Sequence, residues 1–285
     1  MKSRFFIELW LGVLILLSFS LKGNHSLFLK HSSARCVRSA KTPHLQAAWA
    51  KIWILELTND CTAPEAQFRF LDQGVLQHVS SAGCVLPLSG TTTPKVGVKL
   101  VVFASKDICK NKSAQAYTQT EYGSLRHADG KCIQPHTSFG SSPPVGAQME
   151  YTAVCNKTLQ HFVLGSVTCE GSKARDINCP ASQVIKITKA NYGGYGSMKT
   201  CGYYRNYNCL LPSALCYMRR TCDGRQSCEM NVTTEEFKHD ACPGMKKYLY
   251  VQYRCVERKK FKKENVISKF VCLVVISRRN SAMMA

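Results

Sequence analysis

Three stretches in the first half of the chain share one pattern: LKHSSARCV at 29–37, LQHVSSAGCV at 76–85 and LRHADGKCI at 125–133. Each runs from Leu through one residue to His, then through a polar turn to Cys and a β-branched residue. The cysteines that end them stand 48 residues apart, which indicates an internal repeat. Because one such unit is too small to hold a hydrophobic core, we expect the three copies to share one.

Each of these cysteines is followed by a second cysteine at a nearly constant distance. Sequence alone does not fix the connectivity of six cysteines, but the constant distance favours pairing within each copy. A closed loop of this length stabilises the fold by about 3 kcal/mol in the chain-entropy model. The separations are 25, 25 and 23 residues for the pairs Cys36–Cys61, Cys84–Cys109 and Cys132–Cys155. Strand-like runs precede the second cysteines, at 53–57, 98–103 and 148–152.

Three copies of a short all-β unit resemble a β-trefoil of the ricin-B-like type, over residues 24–165. The Gln-x-aromatic pattern of that family stands at Gln115-Ala-Tyr117 and Gln160-His-Phe162, with a looser match at 67–70. Sugar-binding members carry an acidic residue soon after the first Cys of each repeat. The resemblance therefore implies a scaffold, or binding through other residues, because the positions here hold Val37-Arg38, Val85-Leu86 and Ile133-Gln134.

No metal site or cofactor is predicted in either half. His31, His78 and His127 are interpreted as packing or turn residues, because no second ligand accompanies each at a fixed short spacing. Nine cysteines crowd the second half between Cys169 and Cys255, which is typical of a disulfide-stapled domain. Their order contains no zinc-finger spacing.

The second half has a mixed α/β pattern. The runs at 183–192 and 247–255 are rich in β-branched and aromatic residues and predict strands. Residues 212–221 predict a helix, with Pro212 in its first turn and two arginines near its end. The fold class predicted for the whole chain is a trefoil followed by a mixed α/β disulfide-rich domain.

Three motifs carry a second resemblance: Cys169-Glu170-Gly171, Ala190-Asn191-Tyr192-Gly193, and Asp240-Ala241-Cys242-Pro243-Gly244 leading into Lys247-Tyr248-Leu249. They resemble the SUEL-type galactose/rhamnose-binding lectin domain, whose signatures are Cys-Glu-Gly, Ala-Asn-Tyr-Gly-Arg and Asp-Pro-Cys-x-Gly-Thr-x-Lys-Tyr-Leu. The resemblance covers about 166–255. It implies binding of L-rhamnose or D-galactose without calcium, often by tandem or oligomeric proteins.

The resemblance also implies a sugar pocket. Carboxylates would accept from sugar hydroxyls, a lysine would donate, an aromatic ring would form a wall, and a glycine would let the backbone approach the ligand. Three motif residues differ, since Gly194, Ala241 and Met245 replace Arg, Pro and Thr. Loss of the Arg implies binding that is weakened, altered or absent. The implied pocket residues are Glu170, Tyr192, Gly193, Asp240 and Lys247.

Family pairing accounts for eight further cysteines. Two remain, Cys216 and Cys272, which pair with each other or join two chains. The pairs implied by the resemblance are Cys169–Cys201, Cys179–Cys255, Cys209–Cys242 and Cys222–Cys228.

Both ends of the chain suggest processing or surface contact. Residues 1–20 predict a secretory signal peptide, with a signal anchor or a buried strand as the alternative. Residues 256–285 form a basic tail that is either frayed or lies on an anionic surface. Asn-x-Ser/Thr triplets suggest glycosylation at Asn111, Asn156 and Asn231, and another triplet starts at Asn24.

Composition narrows the function. The chain has 285 residues, and its 16 cysteines favour an oxidising compartment over the cytosol. The net charge of +20 suits an acidic matrix or membrane, and no motif for nucleic-acid recognition accompanies it. No nucleophile elbow, metal-helix His pair or phosphate loop indicates an enzyme. We therefore predict a secreted extracellular lectin for galactose- or rhamnose-type glycans, able to form homo-oligomers. The alternative is an interaction module that binds acidic partners through its basic surface.

Overall fold

The computed structural model describes residues 27–71, 73–105, 108–110, 113–120, 122–136, 142–155, 158–194, 201, 209–240, 242–261 and 272. The predicted signal peptide (1–20), most of the tail beyond 261, and Asn24, Asn111 and Asn156 lie outside these residues. The protein is mostly β-structure and rich in disulfides. Within the described ranges, no helix is both long and apolar enough to cross a membrane.

The strands of the first half are β1 Phe28–His31, β2 Cys36–Ser39, β3 Leu45–Ala47, β4 Ala50–Thr58, β5 Phe68–Phe70, β6 Leu76–His78, β7 Cys84–Pro87, β8 Leu100–Ala104, β9 Tyr117–Gln119, β10 Leu125–His127, β11 Cys132–Pro135 and β12 Met149–Thr152. Strand β13 Phe162–Cys169 leads into the second half. There the elements are β14 Lys173–Asn178, β15 Gln183–Gly194, β16 Cys209–Leu210, α1 Ala214–Cys222, β17 Ser227–Asn231, α2 Thr234–Phe237 and β18 Tyr248–Glu257. Short 3-10 turns span Pro64–Ala66, Ser113–Gln115 and Thr158–Gln160.

The three histidines of the sequence pattern make equivalent contacts. Each Nε2 contacts an oxygen of a 3-10 turn: Leu159 O at 3.0 Å, Glu65 O at 3.1 Å and Gln115 Oε1 at 3.0 Å. Each turn belongs to the preceding copy, and the first histidine reaches the third copy. Burial lowers the pKa of all three imidazoles and so favours their neutral form. The residues His31, His78 and His127 are therefore packing and turn residues, as predicted.

The aromatic partners of these histidines correct one detail of the sequence alignment. The imidazoles pack against Phe162, Phe68 and Tyr117, with ring centroids 5.3 to 5.4 Å apart. In the first copy, the residue two positions before the aromatic is Ala66, which is fully buried. Gln67 instead donates to Cys61 O at 2.7 Å, so its match to the Gln-x-aromatic pattern was wrong.

Positions that would carry a sugar-binding acid take part in strand pairing. Arg38 lies opposite Glu56 in the register of β2 and β4, and the two side chains form an ion pair at 2.7 Å. Gln134 lies opposite Glu150 in the register of β11 and β12 and donates to its Oε1 at 3.0 Å. Leu86 is buried. These three positions therefore stabilise the first half.

One strand joins the two halves without a linker. β13 pairs with β1 of the first half from Phe162 to Gly165 and with β18 of the second half from Leu164 to Cys169. The expected boundary at 165/166 therefore falls inside a continuous strand. Phe28 packs over Gly165, where an added Cβ would lie 2.1 Å from the ring, and it stacks on Tyr250 at 6.1 Å.

Gln119 connects the halves a second time. This residue is 3% exposed, and its Oε1 accepts from Cys255 N at 2.8 Å while its Nε2 donates to Phe162 O at 2.7 Å. Its backbone N–H donates to Gln183 Oε1 at 3.1 Å, and Gln183 Nε2 returns a bond to its carbonyl at 2.7 Å. The side chain and the backbone of Gln119 therefore both cross the interface.

The elements predicted in the second half are confirmed. The strand predicted at 183–192 is β15, the strand at 247–255 is β18, and these two pair antiparallel. The helix predicted at 212–221 is α1, which begins after Ser213, so that Pro212 precedes it. The two-stranded sheet of β14 and β17 was not predicted.

The structure pairs all 16 cysteines. The repeat bonds and the family-type bonds have the expected partners, and Cys216 bonds to Cys272 within one chain. The bonds are Cys36–Cys61, Cys84–Cys109, Cys132–Cys155, Cys169–Cys201, Cys179–Cys255, Cys209–Cys242, Cys216–Cys272 and Cys222–Cys228.

Candidate functional site

A cluster of charged side chains lies where the end of β13 meets the start of β18. Lys247 is 4% exposed, and its Nζ lies 3.3 Å from Glu170 Oε1 and 3.2 Å from Asp240 Oδ1. The ammonium also donates to Met245 O at 3.0 Å and contacts Cys242 O at 3.5 Å. Glu170, Asp240 and Lys247 form the carboxylate cluster, in which one buried cation fixes two carboxylates.

Strand register brings the cluster together. Cys169 at the end of β13 lies opposite Tyr248 at the start of β18, so the residues just beyond them, Glu170 and Lys247, are neighbours. Glu170 N donates to Lys247 O at 2.9 Å, and Lys247 N donates to Glu170 Oε2 at 3.2 Å. Asp240 is held by Cys242 N, which donates to its Oδ1 at 2.9 Å. The backbone therefore sets the spacing of the two carboxylates.

Tyr192 supports the cluster from below rather than forming an aromatic wall. Its side chain is fully buried, and its ring stacks on Phe237 at 4.3 Å with an interplanar angle of 7°. Its hydroxyl donates to Glu170 Oε1 at 2.5 Å and lies 3.1 Å from Thr234 Oγ1. The expected stacking of a sugar on this ring is therefore wrong, because the packing of α2 on β15 covers it.

Gly193 also has a different role from the one expected. Its φ is +148°, and an added Cβ would lie 2.2 Å from Cys209 O. The backbone that approaches this glycine closely is therefore strand β16, not a ligand. By contrast, an added Cβ at Gly244 would meet nothing within 4 Å, so the loop between Cys242 and Lys247 is open on that side.

The electrostatics keep both carboxylates charged. Burial alone would raise the pKa of Glu170, but the Tyr192 hydrogen bond and the Lys247 charge outweigh it and lower the pKa. The N–H of Cys242, and then Lys247, lower the pKa of Asp240. Burial and the Glu170 carboxylate raise the pKa of Tyr192, so its hydroxyl stays protonated and donates.

The cluster keeps free hydrogen-bond acceptors. The side chains of Glu170 and Asp240 are 28% and 31% exposed, and together with Lys247 they carry one net negative charge. Each carboxylate oxygen has about two acceptor positions. Glu170 Oε2 accepts from Lys247 N, and Asp240 Oδ2 accepts from Lys247 Nζ at 3.4 Å, which leaves capacity for hydroxyl donors from solvent. The lysine, in contrast, directs its N–H groups at protein oxygens.

Sequence reasoning missed α2 and its two contacts with the cluster. Thr234 Oγ1 donates to Glu170 Oε1 at 3.1 Å, and Phe237 covers Tyr192. A capping box gives the signal for this helix: Thr233 accepts from Glu236 N at 3.3 Å, and the sequence there is Thr-x-x-Glu. The nearby Asn231 is exposed at the end of β17.

Comparison with known families identifies both halves. Residues 177–255 match the family model described as the D-galactoside/L-rhamnose binding SUEL lectin domain. The second half contains a SUEL-type lectin domain. Residues 26–163 match the MytiLec family, described as an alpha-D-galactose-binding lectin.

Curated relatives share only the SUEL-type domain region in length. Latrophilin Cirl of Drosophila ananassae is 37% identical over 92 residues, which cover 31% of this chain and 5% of the relative. Human adhesion G protein-coupled receptor L1 is 38% identical over 97 residues, which cover 33% of this chain and 6% of the receptor. The chain therefore matches about one-twentieth of the length of these relatives. Among solved structures, the agglutinin from Abrus precatorius has a TM-score of 0.35 at 14% identity, covering 50% of this chain and 52% of the agglutinin.

Proposed function

We propose that this protein is a secreted, calcium-independent lectin that recognises galactose- or rhamnose-type glycans through the carboxylate cluster of its SUEL-type domain. The observation that carries the proposal is the pair of partly exposed carboxylates, Glu170 and Asp240, fixed around the buried Lys247 ammonium. Charged acceptors form the stronger hydrogen bonds with hydroxyl donors, and a fixed pair selects among sugars by the direction of adjacent hydroxyls.

Calcium independence follows from the position of the ammonium. A calcium ion in a sugar site would be held by carboxylates. Here Lys247 Nζ already lies within 3.3 Å of both Glu170 and Asp240 and compensates their charge. We therefore assign no metal or cofactor to sugar binding.

The same cluster does not suit glycoside hydrolysis. A glycosidase needs one carboxyl held protonated as the general acid. The pKa values of Glu170 and Asp240 are both lowered, so both remain ionised at neutral pH. We propose binding without turnover.

We propose a β-trefoil of three repeats for residues 24–165. The cyclic contacts of His31, His78 and His127 with successive 3-10 turns support this architecture, as do the three equivalent disulfides. We propose that the first half acts mainly as a scaffold, because Arg38, Leu86 and Gln134 stabilise strand pairing. The match to a family described as an alpha-D-galactose-binding lectin favours a second galactose site there as the alternative.

Secretion is supported by the disulfides. Eight bonds that use all 16 cysteines persist in an oxidising compartment and not in the cytosol. We propose that residues 1–20 direct export, that Asn231 carries a glycan at its exposed position, and that the mature protein is extracellular. Homo-oligomers would add avidity to a single weak pocket.

The first test is a glycan array probed with the oxidised protein in EDTA. We expect binding to galactose or rhamnose termini that Glu170→Gln weakens at least about tenfold, because the substitution removes one charged acceptor. Glu229→Gln is the matched control, since Glu229 lies on β17 with a 53% exposed side chain and pairs with Lys173 at 3.0 Å. Loss of binding in EDTA, or equal binding by wild type and Glu170→Gln, would reject the proposed site.

The pH dependence of sugar binding is a second test. The folded-state pKa of Glu170 lies below its ordinary value of 4.5, so its charge and its stabilising contacts persist at neutral and mildly acidic pH. They are lost as the pH falls through the lowered folded-state pKa. We expect constant affinity for L-rhamnose between pH 7 and pH 5 and a loss below pH 4.5, measured by calorimetry. A titration centred between pH 6 and pH 7 would contradict this assignment.

A second candidate function is binding of acidic partners through the basic surface. The net charge of +20 favours it, and a salt titration separates it from sugar recognition. Free galactose or rhamnose should release a lectin at constant salt, whereas salt alone should release an electrostatic complex.

A further inference from the structure

A cleft of about 580 Å³ lies between the two halves, on the other side of β18 from its start at the carboxylate cluster. Its walls come from β9 and β10 of the first half and from β15, β18 and the following turn of the second half. A volume of this size accommodates a small ligand such as one or two sugar rings. None of the residues of the carboxylate cluster lines it.

The cleft is strongly basic. Four cationic side chains and one acidic side chain contribute to its lining: Arg126, Lys186, Arg254, Lys260 and Glu257. Lys186 and Arg254 lie directly opposite each other in the register of β15 and β18. Like charges at such positions destabilise strand pairing unless a counter-charge is present. The arrangement therefore favours an anionic occupant.

The cleft also presents groups that suit a sugar. Tyr122 lines it and is 50% exposed, which is unusual for a large aromatic side chain in this protein. An exposed ring offers a flat surface to the apolar face of a pyranose, and the hydroxyl at its edge can bond to the ligand. The combination of an aromatic face and several cations is more specific than a diffuse basic surface.

The cleft floor is rigid. Gln119 and Gln183 line the cleft, are each 3% exposed, and exchange the two hydrogen bonds that connect the halves. Fixed walls reduce the entropy lost when a ligand binds, so the basic groups are preorganised in their positions.

We propose that this cleft binds an acidic saccharide, in which sulfate or carboxylate groups contact Arg126, Lys186 and Arg254 while a sugar ring packs on Tyr122. The site gives the acidic-partner function a location, and it is independent of the carboxylate cluster. The protein would then recognise a neutral sugar at one site and an acidic glycan at the other. A membrane surface fits less well, because the cationic groups line a concave cleft and not a flat face.

The test measures affinity by calorimetry for a heparin-derived hexasaccharide, with a hyaluronan hexasaccharide as the arm that carries carboxylates without sulfate. We expect Arg126→Gln with Lys186→Gln to lower the affinity about tenfold, because two charged contacts are removed. We expect Tyr122→Ala to lower saccharide affinity severalfold while leaving the weak binding of inorganic sulfate unchanged. Binding of both hexasaccharides assigns general acidic recognition, whereas binding of the first alone assigns sulfate recognition.

The matched control removes the same charge elsewhere. Lys51 and Lys95 are exposed lysines of the first half that do not line the cleft, and Lys51→Gln with Lys95→Gln should change the affinity less than the cleft pair. Equal losses in the two double variants would overturn the proposal and indicate diffuse attraction. Vesicles with acidic phospholipid that compete better than the hexasaccharide would also overturn it. Glu170→Gln should retain hexasaccharide affinity, so failure of the neutral-sugar site is read separately.

Discussion

Replacing Lys247 with Met reduces the affinity for L-rhamnose by at least about 100-fold, because removal of one partner from a buried charge pair leaves the other groups unpaired. Lys247 is 4% exposed, and its ammonium lies within 3.3 Å of both Glu170 and Asp240. Without it the two carboxylates repel each other and turn toward solvent. The lysine is a positioning residue, since its N–H groups bond to the protein.

Calorimetry with L-rhamnose in EDTA measures this loss, and the adjacent Lys246→Met variant is the control. Lys246 is exposed and removes the same charge from the same loop. We expect Lys246→Met to bind within about twofold of wild type, as for most exposed charges. A positioning role also predicts that Lys247→Arg, which keeps the charge but changes its geometry, binds more weakly than wild type. Full affinity in Lys247→Met would contradict the role of the cluster.

Replacing Gln119 with Leu lowers the free energy of unfolding by about 3 kcal/mol, because at least two buried groups lose their hydrogen-bond partner. These groups are Cys255 N–H in the second half and Phe162 O in β13. The change should lower the melting temperature by about 5–10 °C for a protein of this size. It should also weaken the coupling between the halves.

Calorimetric unfolding with the disulfides intact measures both effects. The control is Gln77→Leu, since Gln77 is also buried but donates to Ala82 O at 2.8 Å within the first half. We expect Gln77→Leu to shift the transition without splitting it, and Gln119→Leu to separate the unfolding of the two halves. A melting temperature for Gln119→Leu that equals wild type would show that the interface does not depend on this residue.

Local patterns in the sequence were sufficient to predict much of the fold. The Leu-x-His and cysteine periodicity located the three copies because the same short contacts recur in each. Strands β15 and β18 were visible as runs of β-branched and aromatic residues, and helix α1 was visible from its charges and Pro212. These signals depend on neighbouring residues, which a single sequence displays directly.

Features that depend on distant packing were not visible. Nothing local distinguishes a tyrosine that faces a ligand from one that is buried, and only the packing of Phe237 on Tyr192 settles its role. Likewise, Gly193 has the positive φ expected of glycine, but the strand that it meets at Cys209 is distant in sequence. The continuity of β13 across the predicted boundary depends on its pairing with both β1 and β18.

The most direct test of the central claim is a ¹H–¹⁵N NMR titration of the oxidised protein with L-rhamnose and then D-galactose, in EDTA. We predict saturable shifts of the amides of Glu170, Thr234 and Lys247, whose groups form or support the carboxylate cluster. Amides of β9 and β10 at the basic cleft should not move. Shifts confined to the first half, or no shift with either sugar, would contradict the assignment of sugar recognition to this cluster.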